Sequence, residues 1–476
     1  MHNAFRFGGR AATSLAAMAL LAGAPACGSV TDSILEFDDP DLILPNNVNS
    51  LPGARAVANG AIGRFINMTA GGEGSWLYGG LLTDEWTTSS TFIQNDETDQ
   101  RKVQLLNTQV TGFYRGMNRV RTAANQAIPL LQTFDSTNKA VIAEMYFARG
   151  FAEMQLALDF CNGIPLSNAA GEVVEYDSPR TGAEVFQVAV ASFDSAIAKA
   201  GTDAASLIVV NAAKIGKGRA LMALNQYAAA AAAVAGIATS YRYQHNFSLT
   251  TNTNIIWGQG FSAKRYSVGD SIDGNNRDIL VKNAIPFTSA KDPRLPVVDT
   301  KSDPQPTVGQ DGGTIMRITG VLGPTGVINP IYDRLTSIDV VNGIDARLIE
   351  AENQLKNNDV TGWLATLNGL RNGANRITSI GTVTIGATAL PNLTDPGTPA
   401  ARVSLLFREK AFWTFARGQR LGDLRRLVRQ YGRASTDVFP EGVHFKAGNF
   451  GSDVNLPVGT DEQNNPNFTA CLDRNA

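Results

Sequence analysis

Two separated stretches of this chain carry one design, and that design limits the possible folds more than any other feature. Residues 211–238 read "NAAKIGKGRALMALNQYAAAAAAVAGIA": a helix with small residues, a Leu-Asn-Gln-Tyr turn, and a helix whose alanines face back. Residues 344–375, "IDARLIEAENQLKNNDVTGWLATLNGLRNGAN", repeat it with Lys-Asn-Asn-Asp-Val as the turn. A helix pair of about 34 residues is of tetratricopeptide type, and it cannot bury its apolar face alone. It has to stack on neighbours, so the fold is expected to be mainly α. The alanine run 228–233 favours helix and lets helices approach closely. "GKGRA" at 216–220 lacks the spacing of a dinucleotide-binding loop and falls inside a helix, so it reads as part of that helix.

Helical patterning also covers residues 54–68, 112–131, 137–160 and 181–200. The segment "KAVIAEMYFARGFAEMQLALDF" is apolar on most of its circumference and belongs inside the stack. A Gly-Ile-Pro turn ends it. The scaffold is thus expected at about 112–239 and 338–430. Three stretches rich in Gly, Asn, Thr, Pro and aromatics interrupt it, at about 70–100, 240–337 and 376–399. A short strand is expected at "TVTI" in the third. Loops of such length in a compact domain are usually functional. The tail 434–476 reads as irregular.

Residues 405–429, "LLFREKAFWTFARGQRLGDLRRLVR", are rich in arginine and invite a nucleic-acid reading. The whole chain argues against it. Lys+Arg is 41 and Asp+Glu is 43 in 476 residues, a net charge of −2, whereas nucleic-acid affinity rests mainly on phosphate neutralisation. A local basic run in a near-neutral chain reads instead as a helix whose arginines pair with buried or half-buried carboxylates.

Residues 1–26 have the pattern of a signal peptide. Arg6 and Arg10 form a positive n-region, and "AATSLAAMALLAGA" is an apolar stretch too short to span a bilayer. Two cleavages are open. Ala24-Pro25-Ala26 suits ordinary signal peptidase, while a small residue before Cys27 resembles a bacterial lipobox, though without its usual Leu-Ala/Ser. Only the second leaves Cys27 as a lipid anchor. Residues 27–52, polar, acidic and proline-bearing, then read as a tether, and residues 53–476 as a single domain.

Several motifs together resemble one family, the SusD/RagB-like nutrient-binding lipoproteins of bacterial outer membranes. "EMYFARGFAEMQLALDFCNGIPLS" is similar to its long helix and Gly-x-Pro turn. "KDPRLP" resembles its Asp-Pro-Arg segment, here Asp292, Pro293 and Arg294. Arg408, Glu409, Gly418, Arg420, Asp423, Leu424 and Arg426 fit its arginine-rich signature, with Arg417 where the family often has Glu. "NLPVGTDEQNNPNF" resembles its closing motif through Pro457, Glu462, Asn465, Pro466 and Asn467. The resemblance implies a tetratricopeptide-like scaffold with long loops forming a ligand side. It implies a helix pair broken at Gly418, whose arginines bond carboxylates such as Glu409 and Asp423 and helix-end carbonyls. It further implies a surface protein that binds glycans or other nutrients, partners a SusC-like TonB-dependent transporter, and is not an enzyme. Competing readings are an exported helical-repeat scaffold binding a protein or peptide and, more weakly, a carbohydrate-active enzyme.

Sugar binding needs flat apolar faces beside hydrogen-bonding groups. Two loop regions offer that mixture. One holds Trp76, Tyr78, Trp86, Phe92 and Asn95; the other holds Trp257, Arg265 and Tyr266, with Tyr241 and Tyr243 beside them. Trp363 and Trp413 lie in helical patterns and read as core. His245 and His444 stand alone and read as surface or loop residues. No H-E-x-x-H, G-x-S-x-G or Walker motif occurs, and no cofactor is expected. "GDSIDGNNRD", with Asp270, Asp273, Asn276 and Asp278, departs from calcium-loop spacing and reads as an Asx-turn loop, so no metal is expected. With Cys27 set aside for lipid, Cys161 and Cys471 remain in an exported chain, and a disulfide between them is expected.

Overall fold

The computed structural model describes residues 48–72, 74–171, 173–272, 278–295, 297–299, 308–313, 316–318, 320–322, 328–330, 334–372, 390–446 and 448–476. The signal segment, Cys27, most of the tether, Asp273, Asn276 and the "TVTI" strand lie outside them. Ser50–Ala476 forms one compact unit.

Helix α1 (Leu51–Thr69) opens on Ser50, whose hydroxyl accepts from the Gly53 amide, with Pro52 in the first turn where its missing N–H costs nothing. After the short helices α2 (Ser75–Leu81) and α3 (Ile93–Asp99), with strand β1 (Trp86–Thr88) between them, come two long helices, α4 (Thr108–Phe134) and α5 (Lys139–Asp159). Asn107 caps α4 by accepting from the Gln109 and Val110 amides. Helix α5 is buried over most of its length, as its apolar circumference requires. Helix α6 (Gly182–Lys199) starts with a reciprocal cap between Thr181 and Glu184.

The two repeated pairs form as their sequences ask. Helices α7 (Ala204–Ala223) and α8 (Tyr227–Val234) are one pair; α9 (Gly343–Lys356) and α10 (Val360–Asn372) are the other. Neighbours pack in chain order from α4 to α8, and α8 and α7 then rest on α9. The glycines of "GKGRA" explain the close approach. A Cβ at Gly216 would run into the Phe193 ring on α6, and one at Gly218 would press on Val234 and Ile349.

The arginine-rich segment is two helices, α11 (Pro399–Trp413) and α12 (Arg420–Tyr431), with Gly418 in the break at φ +64°. Most of its charges face inward, onto carboxylates and carbonyls, while Arg408 and Arg429 are exposed. Glu409 receives Arg294 at 2.7 Å and Arg371 at 2.8 Å, which joins the Asp-Pro-Arg segment to the arginine signature. Lys410 and Arg426 share Glu352 and Asp423. Arg417 pairs with Asp345, and Arg420 grips Asp84 with two bonds of 2.7 and 2.8 Å. Arg425 donates to the Ala157, Leu158 and Phe160 carbonyls at the end of α5. These cations are the staples between α12, α5 and the loops, not a surface grip.

Strands are short. Among the described residues β1 pairs antiparallel with β3 (Tyr266–Val268), and β2 (Arg242–His245) with β8 (Ile338–Asn342). Small ladders also join β4 (Val297–Asp299) to β5 (Met316–Ile318) and β6 (Gly320–Leu322) to β7 (Ile328–Pro330). Cys161, just after α5, is bonded to Cys471 with S–S 2.03 Å and Cα atoms 6.1 Å apart. Around it, Phe160 bridges to Leu456, and Asn162 donates to Asp473 at 2.9 Å. The irregular tail is therefore fixed along the end of the central helix. Among the described residues no helix is long and apolar enough to cross a membrane.

Candidate functional site

The two aromatic loop regions meet. The β1–β3 register sets Trp86 against Val268, Thr87 against Ser267 and Thr88 against Tyr266. Beyond the ladder, the Ser89 amide donates to the Arg265 carbonyl at 2.9 Å, and Arg265 Nη1 reaches Ser90 Oγ at 3.2 Å. Residues 89–93 and 255–265 thus share one surface.

Most of the aromatics in those regions are not on that surface. Trp76, Tyr78, Trp86, Asn95 and Tyr266, all expected to face ligand, are buried. Trp76 lies against Gly418, where a Cβ would overlap its indole. The Tyr78 ring packs 4.5 Å from Phe113, and its hydroxyl sits 2.5 Å from the Gln94 carbonyl. Trp86, only 2% exposed, is flanked by Phe415 at 5.1 Å and Tyr266 at 6.4 Å. These rings plug the loops onto α5 and the α11–α12 break, so none has a free face. Tyr243 is likewise interior, its hydroxyl 2.6 Å from Glu144. Trp363 and Trp413 are core, in line with their helical patterns.

Three of the sequence candidates do reach the surface: Phe92, Arg265 and Trp257. Phe92 is 45% exposed, and the Arg265 guanidinium stacks over its ring at 3.9 Å. Trp257 is half-buried and stacks on Phe261, centroids 5.4 Å apart and planes 19° apart. The turn Ile255–Ser262 makes that pair. Asn254 caps it by accepting from the Ile256 and Trp257 amides, and one residue too many per turn brings positions 257 and 261 into register. Phe261 was missed in sequence, although a W-x-x-x-F spacing in a helical turn is a signal for stacking. Lys446 was missed too. It comes from the tail, bonds the Ser90 carbonyl and reaches Asp96 at 2.6 Å, which fixes the Phe92 loop from below. The surface therefore offers one stacked ring pair, Trp257 on Phe261, and one ring under a guanidinium, Phe92 under Arg265, on a braced loop, groups suited to packing on a sugar ring or a similar flat apolar face.

Both histidines are buried rather than on the surface; His444 lies in a loop, as one of the two readings had it, and His245 in strand β2. His245 lies edge-on to Phe65 at 4.7 Å, and burial holds its imidazole down to about 3, so it is neutral. His444 accepts from the Lys446 amide at 3.2 Å and faces Asp99 at 3.3 Å. At the described start of the 269–278 stretch, Asp270 accepts from the Ser271 and Ser289 amides and the Ser289 hydroxyl. Among the described residues no group of three or more His, Cys, Asp or Glu side chains is placed to hold a metal.

No protein-family model and no curated protein sequence matches the chain. Solved structures do. A SusD superfamily protein from Bacteroides vulgatus is 13% identical with a TM-score of 0.59, covering 89% of this chain and 99% of that one. A SusD superfamily protein from Parabacteroides distasonis gives 15% and 0.59, over 88% and 98%. A SusD-like carbohydrate binding protein from Bacteroides fragilis gives 15% and 0.56, over 89% and 99%. Over nearly the whole length of those proteins, then, this chain has the fold of structures described as SusD superfamily or SusD-like, the mainly helical fold that the motifs led one to expect.

Proposed function

We propose that this chain is a SusD-like cell-surface binding lipoprotein that captures a glycan on its loop side and passes it to a SusC-like TonB-dependent outer-membrane transporter. In this reading Cys27 carries the lipid anchor, residues 28–52 are the tether, and no reaction is catalysed. Fold alone does not give function, so the reading leans on the site. The observation that carries it is the braced loop surface, where Trp257 stacks on Phe261 and Arg265 on Phe92. Such rings give contact area at low entropy cost, and Arg265 adds a donor for hydroxyls. A structural relative described as a SusD-like carbohydrate binding protein supports the ligand class.

The test is a binding screen of the mature chain, residues 28–476, against soluble polysaccharides, with peptides alongside. Capture of a polysaccharide that weakens in Trp257→Ala and Phe92→Ala supports the reading. Binding of peptides alone would favour the protein-binding scaffold instead. Cys27→Ser should release a soluble exported form; a wild-type protein without lipid by mass spectrometry would remove the anchor from the proposal.

A further inference from the structure

On the loop surface the rings stand beside a cation that the fold holds in place. Arg265 follows the Ile255–Ser262 turn and is fixed at three points. Its backbone amide donates to the Gln259 carbonyl at 2.9 Å, its carbonyl accepts from the Ser89 amide at 2.9 Å, and its Nη1 reaches Ser90 Oγ at 3.2 Å. The guanidinium lies over the Phe92 ring at 3.9 Å. A side chain held in this way has already lost much of its rotamer freedom, so a ligand that bonds it meets a preorganised donor.

The three carboxylates of α3 face other groups. Asp96 accepts from the Thr88 hydroxyl at 2.9 Å and takes Lys446 at 2.6 Å. Asp99 is buried, accepts from the Thr88 amide at 2.8 Å and faces His444 at 3.3 Å. Glu97 accepts from the Asn107 side-chain amide at 3.1 Å. Asp311, whose backbone amide joins the same loop at the Ser89 carbonyl, stands 3.5 Å from Lys446. Lys446 is thus matched by carboxylates and braces the loop. Among the described residues no carboxylate oxygen comes within 4.0 Å of a nitrogen of Arg265, or of Lys264, its half-buried neighbour. Beyond the Ser90 bond, the fork of Arg265 bonds no other protein group among the described residues.

We infer that this surface selects an anionic glycan, one whose sugars carry carboxylate or sulfate groups, with Arg265 as the receptor of the negative group and Trp257, Phe261 and Phe92 as the ring platform. The inference rests on the glycan reading of this surface and takes it further, to the charge of the ligand. A guanidinium presents parallel N–H donors in a fixed fork that matches two oxygens of one carboxylate or sulfate. A sugar hydroxyl offers a single oxygen without charge, so it uses only part of that fork. An acidic sugar has both features that the surface matches: a C–H face for the rings, and a charged group at the edge of its ring for the arginine. Because Arg265 is half-buried rather than sealed off, the attraction should be screened by salt.

Matched polymers supply the test, by isothermal titration of the mature protein with polygalacturonate against its methyl ester, and with dextran sulfate against dextran. At least one charged polymer should bind more tightly than its neutral counterpart, by about tenfold or more, and the two pairs tell carboxylate from sulfate. Added sodium chloride should weaken that binding. Arg265→Gln should abolish the preference for charge, while Arg265→Lys, which keeps the charge without the fork, should retain part of it; unchanged melting temperatures show that both variants fold. A neutral polymer bound as tightly as its charged counterpart, and weakened in Trp257→Ala, would overturn this inference and leave the glycan reading standing. Binding of no polysaccharide would overturn both. A preference for charge that persists in folded Arg265→Gln would refute Arg265 as the receptor. Should that variant not fold, the wild-type comparison decides alone: equal, salt-insensitive binding of charged and neutral polymers refutes the inference.

Discussion

At the scale of single residues, exposure separates two kinds of aromatic that look alike in sequence. Trp257→Ala should weaken glycan binding by about 1–2 kcal/mol and leave the melting temperature almost unchanged. Trp86→Ala should do the reverse, costing about 3–5 kcal/mol of stability through the cavity it leaves. Isothermal titration and thermal denaturation of both variants check the pair; normal binding by Trp257→Ala would remove that ring from the site. The sequence did not distinguish them because "GGEGSWLYGGLLTDEW" has the glycines of an exposed loop. In the fold those glycines serve contact instead: a Cβ at Gly80 would strike the Trp86 indole. Glu85, beside it, is fully buried, and desolvation raises its carboxyl to about 8, with nearby Arg420 only partly offsetting this. Between its ordinary 4.5 and about 8 the folded chain keeps a proton that the unfolded chain has lost, so this group's contribution to stability falls as pH rises. Glu85→Gln should therefore show a smaller drop in urea midpoint from pH 5 to pH 8 than wild type. Asp159, held up to about 7 by burial, leaves a residual slope, and neutral His245 acts in the opposite sense below 6.5. An identical pH dependence in the two proteins would rule out the buried, protonated Glu85.

At the scale of elements, helices were legible and their partners only partly so. Periodicity placed α5 within two residues at its start and one at its end, because a helix apolar on all sides has few alternatives. The role of the arginines was legible in kind, since a charged helix inside a neutral chain must find carboxylates or carbonyls. Which ones it finds is long-range geometry: Arg420 meets Asp84, and Arg417 meets Asp345, across separations no local pattern encodes. The 70–100 stretch, read as loop-rich with no single regular element, contains the short elements α2, α3 and β1, stabilised by tertiary packing rather than by propensity. Two substitutions test these joints. Gly418→Ala should destabilise by several kcal/mol, from a left-handed backbone and from overlap with Trp76. Arg425→Leu should cost about 3 kcal/mol or more, since the three carbonyls it serves lose a charged donor. Urea denaturation measures both, and a loss under about 1 kcal/mol in Arg425→Leu would show that the end of α5 finds other donors.

At the scale of the whole molecule, the Cys161–Cys471 bond joins residues 310 apart and sets the tail against the centre of the helical stack. The chain-entropy account allows at most about 5–6 kcal/mol for a loop of that length. The paired variant Cys161→Ser with Cys471→Ser should melt lower than wild type, and reductant should lower the melting temperature of wild type but not of that variant. The same bond has a consequence for resistance to proteolysis. The long loop regions that carry Trp257, Arg265 and Phe261 all lie between the two cysteines in sequence. A protease that cuts once anywhere in that span makes two fragments that stay covalently attached, with the stack still assembled around them. A nicked molecule would run as one species without reductant and as two with it, and would keep its tail.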